Sequence, residues 1–478
     1  MVPAKVPANG ARGEAGFSRP GKILPEETPI RREVTCFAFW GWLGALLLAG
    51  CDGGGGPAAT PAGPDAAASA DAGAGGAVPP GVDSGLPDGP AEAAGDGPSG
   101  PFVPAPHAPL PQVVNSGGPV IGAPKVLPIL YTGDTGASDI EGFVQELTQT
   151  TYWTTTTSEY GVGPLTMLPT VTLSGVAPAK VSDAELQAML LESTSGANPA
   201  WGAPDASTVY LFALPSGTIE IDSNGACCTD YDGYHSETTG GTIALPYVVA
   251  CACPGFGGTA ESTLHLRTIA ISHEMVESAT DPFPHLNPAF LHEDDDHLVW
   301  TSVTGGEVAD MCVLDEDAYF IPVGSQYMIQ RTWSNSAAAA SQEPCVPVRT
   351  AGPYFNTFPA LSNVPYFHLV GHATATQGID IPLGGTRTIP LNLYSSAPTG
   401  GAWTVRVFDA NDLLSGSPNL SLSLDRTSGQ NGDTINLTIT PHTADPKTGA
   451  EAFVLFSELG TPDTDTFRSS MMVGLVTN

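Results

Sequence analysis

Apolar strand-like runs that alternate with capped helices over residues 119–350, and apolar residues that recur at period two over residues 351–478, predict an α+β domain followed by an all-β domain. A third observation separates both from what precedes them. Residues 51–118 are mostly Gly, Ala, Pro and Asp, with no Lys or Arg before Lys125 and Phe102 as the single aromatic. Such a segment cannot bury enough apolar surface to offset chain entropy, and a disordered acidic tether is expected there. At 478 residues the chain has room for about three domains of ~150 residues. Its 16 Lys+Arg against 49 Asp+Glu give a net charge of −33. That balance argues against binding nucleic acid or anionic headgroups and leaves cationic partners and divalent metals open.

Ahead of the tether, Arg31 and Arg32 precede an apolar run over residues 37–50. The run is shorter than the ~20 residues a membrane-spanning helix needs, so residues 1–50 read as a signal peptide. It ends in Leu48-Ala49-Gly50-Cys51, which resembles the bacterial lipoprotein box. The resemblance implies lipidation of Cys51, export, and attachment to the cell envelope, at the outer membrane or cell surface, through that lipid alone. Glu33-Val34-Thr35 is a poor fit to a twin-arginine signal. The stretch ahead of Arg31 is a long leader, and a start codon downstream of Met1 would give an ordinary one.

Within the α+β part, folded sequence is expected from about Val120. Residues 126–131 have the pattern of a buried strand. Ser138-x-x-Glu141 and Ser182-x-x-Glu185 are capping-box signatures, opening helices through about Gln149 and Leu191. Strand-like runs at 209–214 and 243–249 flank a loop rich in Gly, Asp and Cys. From 260 to 279 no Gly or Pro interrupts the chain, and Leu266, Ala270, His273 and Glu277 fall on one stripe, which predicts a helix of about five turns. Pro282, Pro284 and Pro288 end it and put His285 in a loop. His292-Glu293-Asp294-Asp295-Asp296-His297 has the composition of a solvated loop, with calcium or zinc capture as the alternative. Strand-like segments near 319–323 and 327–333 close this unit. Beyond about residue 367, segments 403–408, 420–424 and 434–439 alternate at period two without a cysteine. Six or seven such strands in about 110 residues predict an immunoglobulin-like β-sandwich, with binding or spacing as its role.

The helix predicted at 260–279 carries His273-Glu274-x-x-Glu277. Positions i and i+4 share a helix face, so the His273 imidazole and Glu277 carboxylate can converge on one cation, while Glu274, about 100° further round, can reach a water on it. This is the logic of the His-Glu-x-x-His metalloprotease helix, with Glu277 replacing the second histidine. Alone, the triplet is common on helix surfaces. Here its stripe continues Leu266 and Ala270 and so faces the interior, where an unpaired carboxylate is costly. Downstream, Glu307 and Asp310 add carboxylates beside Cys312, which can pin them. His273, Glu277 and Glu307 would supply the three protein ligands of a catalytic zinc site.

Residues 125–349 resemble the secreted proteins related to plant EXORDIUM and phosphate-induced protein 1, together with their bacterial relatives. The resemblance rests on His273-Glu274-x-x-Glu277-x-x-x-Asp281-Pro282, on Glu307-Val308-Ala309-Asp310-Met311-Cys312, on Cys228 with Gly233-Tyr234-His235, on Cys251-x-Cys253-Pro254-Gly255, and on Gln330-x-x-Trp333 ahead of Cys345. It departs at Thr229-Asp230-Tyr231-Asp232, an insertion between Cys228 and Gly233. That family looks like a divergent zincin, so the resemblance implies a zincin-like fold over 119–350 with Glu274 as general base on zinc-activated water. Glu277 as ligand would weaken the Lewis acidity of the metal. His235 would stabilise an oxyanion, ligate, or hydrogen-bond near a disulfide. Asp310 would orient a ligand, and Asp281 would cap the turn after the helix.

With Cys36 in the signal and Cys51 lipidated, Cys227, Cys228, Cys251, Cys253, Cys312 and Cys345 remain. In an exported protein they favour disulfides over a metal thiolate site. A vicinal Cys227–Cys228 bridge would strain the peptide. Bridges from that pair to Cys251 and Cys253, with Cys312 to Cys345, are preferred among the connectivities six cysteines allow. The expected function is zinc-dependent hydrolysis of a peptide or a cell-envelope protein or glycan. The alternatives are a non-catalytic surface module that binds glycan or protein on the same fold, and a calcium-stabilised adhesin using residues 292–297.

Overall fold

The computed structural model describes residues 101–478 apart from 223–224, 316, 349–350, 368–372, 444–449 and 462–465. The expected signal peptide, Cys51 and most of the tether lie outside the described residues. The fold is mixed α/β, with strands predominating over helices. Its α/β part is organised by β1 (Lys125–Tyr131), α1 (Ala137–Leu147), α2 (Asp183–Glu192), β2 (Thr208–Leu214), β3 (Gly233–Glu237), β4 (Pro246–Cys251) and α3 (Thr263–Thr280). Strands β1, β2 and β4 are parallel neighbours, β3 runs antiparallel to β4 and ends the sheet on that side, and Thr166–Met167 ends it on the other.

Parallel strands covered on both faces read as unbroken apolar runs, because side chains that alternate between faces all meet a core. In β2, Val209, Leu211 and Ala213 join Ala270, Ile271 and Met275 of α3 on one face, while Tyr210, Phe212 and Leu214 join Leu186 and Leu190 of α2 on the other. The predicted box at Ser182 forms: Ser182 Oγ caps Glu185 N, and Glu185 Oε2 accepts from Ser182 N at 2.8 Å. The predicted box at Ser138 does not. Helix α1 starts after Gly136, whose N–H donates to Asp134 Oδ1 at 2.9 Å, so the chain turns before Ser138 can act as a cap.

Helix α3 is capped by Ser262 and buried at every position from Leu266 to Thr280. The sequence predicts one stripe, Leu266, Ala270, His273 and Glu277, but Thr268, Ser272 and Thr280 off that stripe are buried as well. Each is satisfied internally. Thr268 Oγ1 donates to Met328 O at 2.7 Å, Ser272 Oγ accepts from Gln330 N at 3.1 Å, and Thr280 Oγ1 donates to Val276 O at 3.0 Å. Arg267 is buried too and pairs with Asp134 at 2.9 Å.

Three further expectations are corrected. The tether was expected to run to residue 118, yet Leu110 and Val113 are buried and Val113–Val114 pairs with His292–Glu293. His107 also stacks on Phe358 and Tyr394 at 4.5 and 4.0 Å. Composition misses this because a few apolar residues among prolines are enough when distant chain supplies the groove. The cluster at 292–297 is a solvated loop only in part: Asp295 and Asp296 are exposed, but Glu293 is buried and accepts from Thr301 N at 2.9 Å, and Asp294 accepts from Gln112 N at 2.8 Å. Among the described residues, the groups of three or more side chains placed to hold a metal do not include it. The strand expected at 243–249 begins only at Pro246, and those expected at 319–333 are the short pairs Tyr319–Phe320, Ile329–Gln330 and Thr332–Trp333.

The C-terminal part holds β5 (Phe355–Pro359), β6 (Ser362–Phe367), β7 (Ala373–Asp380), β8 (Arg387–Ser395), β9 (Trp403–Asp409), β10 (Leu420–Leu424), β11 (Ser428–Gly429), β12 (Thr434–Pro441), β13 (Ala450–Leu459) and β14 (Arg468–Thr477). One sheet runs β5-β8-β12-β10 and the other β6-β7-β14-β13-β9-β11. They face each other through Thr357 Oγ1 and Ser457 Oγ at 2.7 Å, and through the Phe355 and Trp403 rings at 5.3 Å. A short helix, Ala410–Ser415, appears where none is expected, because Asp409 Oδ1 caps Asp412 N at 2.9 Å.

Candidate metal centre

His235 lies on edge strand β3, paired in register with Val248, whose side chain packs on the α3 face of the sheet. Residues 229–232, the stretch that departs from the EXORDIUM-type pattern, lie just ahead of it. Thr229 N and Asp230 N both donate to Ala226 O, at 3.1 and 2.9 Å, which folds the extra residues into a turn. Disulfides Cys227–Cys251 and Cys228–Cys253 tie that turn to the end of β4. A third, Cys312–Cys345, anchors the segment that carries Glu307 and Asp310. Gly305 precedes it with φ 115°, and a Cβ there would collide with the Asp310 carboxylate.

These elements bring His235, His273, Glu274, Glu277, Glu307 and Asp310 together, all buried. His273 Nε2 lies 3.1 Å from Glu277 Oε2 and 3.4 Å from Asp310 Oδ1. His235 Nδ1 lies 3.3 Å from Glu274 Oε2 and 3.5 Å from Glu277 Oε2, and its Nε2 lies 3.4 Å from Glu307 Oε1. Asp310 N donates to Glu277 Oε1 at 3.2 Å. Glu307, expected beside His273, thus stands against His235, while Asp310 meets the His273 ring itself. Asp281 turns away to accept from Ala289 N at 2.8 Å, holding the proline-rich loop.

Four carboxylates and two imidazoles meet here, a fifth buried carboxylate, Asp232, is pushed up to about 7 by burial and the charge of Glu274, and the buried arginines are engaged elsewhere, Arg267 with Asp134 and Arg331 with Asp317 at 2.9 Å. Burial raises Glu274 and Glu307 above the usual carboxylate range. Burial and the charge of Glu277 push Asp310 up to about 7. For Glu277 burial is outweighed by His273 and His235, which hold it at about 2. The imidazoles are raised in turn, because the carboxylates outweigh burial. Such a cluster favours a cation at its centre. The donors fit one: atoms of His235, Glu277 and Glu307 lie within 4.8 Å of one another, as do those of His273, Glu274 and Glu277. Histidine nitrogen and carboxylate oxygen are ligands that zinc accepts.

Gln330 prepares His273 for that role. Its Nε2 donates to Ala309 O at 2.7 Å, which leaves Oε1 to face His273 Nδ1 at 3.0 Å. An acceptor at Nδ1 places the ring proton there and turns the Nε2 lone pair toward Glu277 and Asp310. Replacing Gln330 by Ala is expected to weaken metal affinity about 10–100-fold with little change in fold, as read by competition with a chelating indicator dye. The sequence marks Gln330 only as part of Gln330-x-x-Trp333, with no hint of its partner.

A cavity of 540 Å³ opens from this cluster along β3, and Asp183, Gln187, Tyr231, Tyr234 and Tyr247 line its far wall. Tyr234 and Tyr247 hydroxyls both donate to Asp183 Oδ1, at 2.8 and 2.5 Å. His285, placed in a loop by its prolines, reaches the rim, with Nδ1 3.1 Å from buried Glu237. Neither the tyrosine wall nor Glu237 carries a sequence signal, since α2, β3 and β4 contribute it jointly.

No family model matches the chain, and no curated protein matches it. Among solved structures, the chain is similar to domains 4 and 5 of the S-layer protein SbsC, at 11% identity and a TM-score of 0.15 over 33% of this chain and 89% of that one. Domains 1–6 of the surface layer protein SbsC match at 13% identity and a TM-score of 0.15, over 28% and 17%. Likeness at that level carries no argument about fold or activity.

Proposed function

We propose that the chain is an exported, metal-dependent peptide hydrolase whose α/β part is a zincin-like domain and whose C-terminal part is an immunoglobulin-like sandwich that spaces or docks it. The observation that carries this reading is the Glu274 carboxylate. It is buried, one oxygen meets His235, Oε1 has no hydrogen-bond donor, and the side chain lines the cavity together with His235 and Glu277. A divalent cation, zinc by the chemistry of the donors, would be held among His273, Glu277, His235, Glu307 and Asp310, and would acidify water and polarise a scissile carbonyl. Glu274 takes the proton of the attacking water at Oε1 and returns it to the leaving amine. Burial raises its affinity for protons, the direction a general base needs.

Peptide is favoured over glycan because β3 ends its sheet, with no strand paired to its outer edge among the described residues, and runs along the cavity. An extended peptide can add to such an edge through backbone hydrogen bonds. With β5, β8, β9, β10, β12, β13 and β14 counted as A to G, the sheets contain A-B-E-D and G-F-C, the order that supports the immunoglobulin-like reading. Three disulfides support export, and Leu48-Ala49-Gly50-Cys51 supports a lipid anchor at Cys51.

Zinc-loaded protein is expected to cleave a broad peptide library and to stop when a chelator is added. His273→Ala is expected to lose both zinc and cleavage. Equal zinc content in the two proteins, measured by plasma mass spectrometry after dialysis, would remove the proposed site.

A further inference from the structure

We infer that the cavity wall made by Asp183, Asp222, Tyr231, Tyr234 and Tyr247 is a subsite for a basic side chain, lysine or arginine, of a peptide laid along β3. This rests on the peptide-hydrolase reading above and adds to it the class of side chain that the substrate carries beside its scissile bond.

Strand geometry puts two unlike surfaces within reach of one peptide. Tyr234 and His235 are successive residues of β3, so their side chains leave opposite faces of the sheet. Val248, opposite His235, belongs to the core that holds Ile271 and Met275 of α3, whereas Val249, opposite Tyr234, belongs to the core that holds Leu186 and Leu190 of α2. The cavity is lined from both faces, by His235 and Glu274 on one and by Tyr234 with Asp183 and Gln187 of α2 on the other. A peptide added to the β3 edge turns successive side chains to the two faces in alternation. One of the side chains that flank a bond held at the metal centre therefore meets the tyrosine wall.

The chemistry of that wall selects a cation. Tyr234 and Tyr247 hydroxyls donate to Asp183 Oδ1 at 2.8 and 2.5 Å, Gln187 Nε2 donates to Asp183 Oδ2 at 2.7 Å, and the Tyr231 hydroxyl donates to Glu220 Oε2 at 2.7 Å. These neutral donors orient the carboxylates and leave their charge in place. Among the described residues no Lys or Arg lines the cavity, and of its imidazoles His235 meets Glu274 and His285 meets Glu237. Glu220, 0% exposed and joined to the wall through Tyr231, keeps Oε1 without a hydrogen-bond donor. Burial and the charges of Asp222 and Asp183 raise it to about 7, against the Tyr231 hydrogen bond. Negative charge thus gathers here without a counter-ion, a state that a bound ammonium or guanidinium relieves. The rings add to this. Tyr231 and Tyr234 stand at 87° to one another, as do Tyr234 and Tyr247 at 83°, and aromatic faces attract ammonium and guanidinium while their carbons cover an aliphatic stem. The net charge of −33 favours approach of the same class of peptide.

The test uses the zinc-loaded full chain and N-acetylated, C-amidated peptides that differ at one central position, which holds lysine, arginine, norleucine or glutamate. Binding is read by fluorescence polarisation and cleavage by mass spectrometry. The lysine and arginine peptides are expected to bind about 10–100-fold more tightly than the norleucine peptide, the range of a hydrogen bond between charged groups, with glutamate weakest and cleavage beside the basic residue. Asp183→Asn and Asp222→Asn should each bring the lysine-to-norleucine ratio toward one with bound zinc unchanged, circular dichroism confirming the fold. Asp222, which follows the strand Ile219–Ile221, decides the test if Asp183→Asn does not fold. Equal binding of the lysine and norleucine peptides, or binding of neither, would overturn the subsite, and cleavage without preference would do so while leaving the hydrolase reading standing. A lysine preference that survives in both folded variants would overturn its assignment to this wall. A preference lost in the variants, with no peptide cleaved by the wild type, would uphold the subsite and overturn hydrolysis.

Discussion

Glu274→Gln is expected to lower peptide hydrolysis by about 10²–10⁴-fold, the range that a positioned general base supplies, while bound metal and melting temperature stay within error of the wild type. Glutamine matches the shape of glutamate and keeps an oxygen or amide against His235, which meets Glu274 Oε2 at 3.3 Å. It cannot take a proton. The change also removes one of several neighbouring buried carboxylates, Asp232 among them, so it relieves repulsion and should not destabilise the fold. The informative comparison is with Gln330→Ala, which acts on the ligand His273 and should be rescued in part by excess zinc. Glu274→Gln should not be. Cleavage that survives the change would mean that another group takes the proton and that Glu274 serves only to hold His235.

Removing the Cys312–Cys345 bridge by replacing both cysteines with Ala is expected to cost about 2–4 kcal/mol of stability, by the loop-closure argument for a linkage of this length. Its sequence separation is 33 residues. A second effect sets this bridge apart from Cys228–Cys253. Cys312 ends the turn Asp310–Cys312, and Cys345–Val346 pairs with Thr332–Trp333, which follows Gln330. The bridge therefore joins the segment that carries Glu307 and Asp310 to the one that orients His273. Metal affinity should fall along with thermal stability, whereas a purely structural staple would lower the melting temperature alone. Differential scanning fluorimetry with and without zinc separates the two, because the stabilisation added by zinc should shrink in the variant.

Periodicity carried much of the fold into view before any contact was known. The strands at 126–131 and 209–214, the Ser182 capping box, the long helix over 263–280 and the alternating strands near 403–439 all follow from local geometry. Backbone spacing places i and i+4 on one helix face and sends successive strand residues to opposite sides, wherever the chain later packs. His273 and Glu277 belong to the same class, being one turn apart on α3 and 3.1 Å apart across it. The tie of Glu307 to His235, the contact of Asp310 with the His273 ring and the hydrogen bond of Gln330 depend on segments that meet from 21 to 72 positions away, and no local rule sets those pairings. The same holds where local signals misled. Ser138 lost its cap to a turn made by Asp134, Glu293 was drawn from an acidic loop into a buried bond with Thr301, and Leu110 and Val113 were taken out of an apparent tether by a groove that distant chain provides.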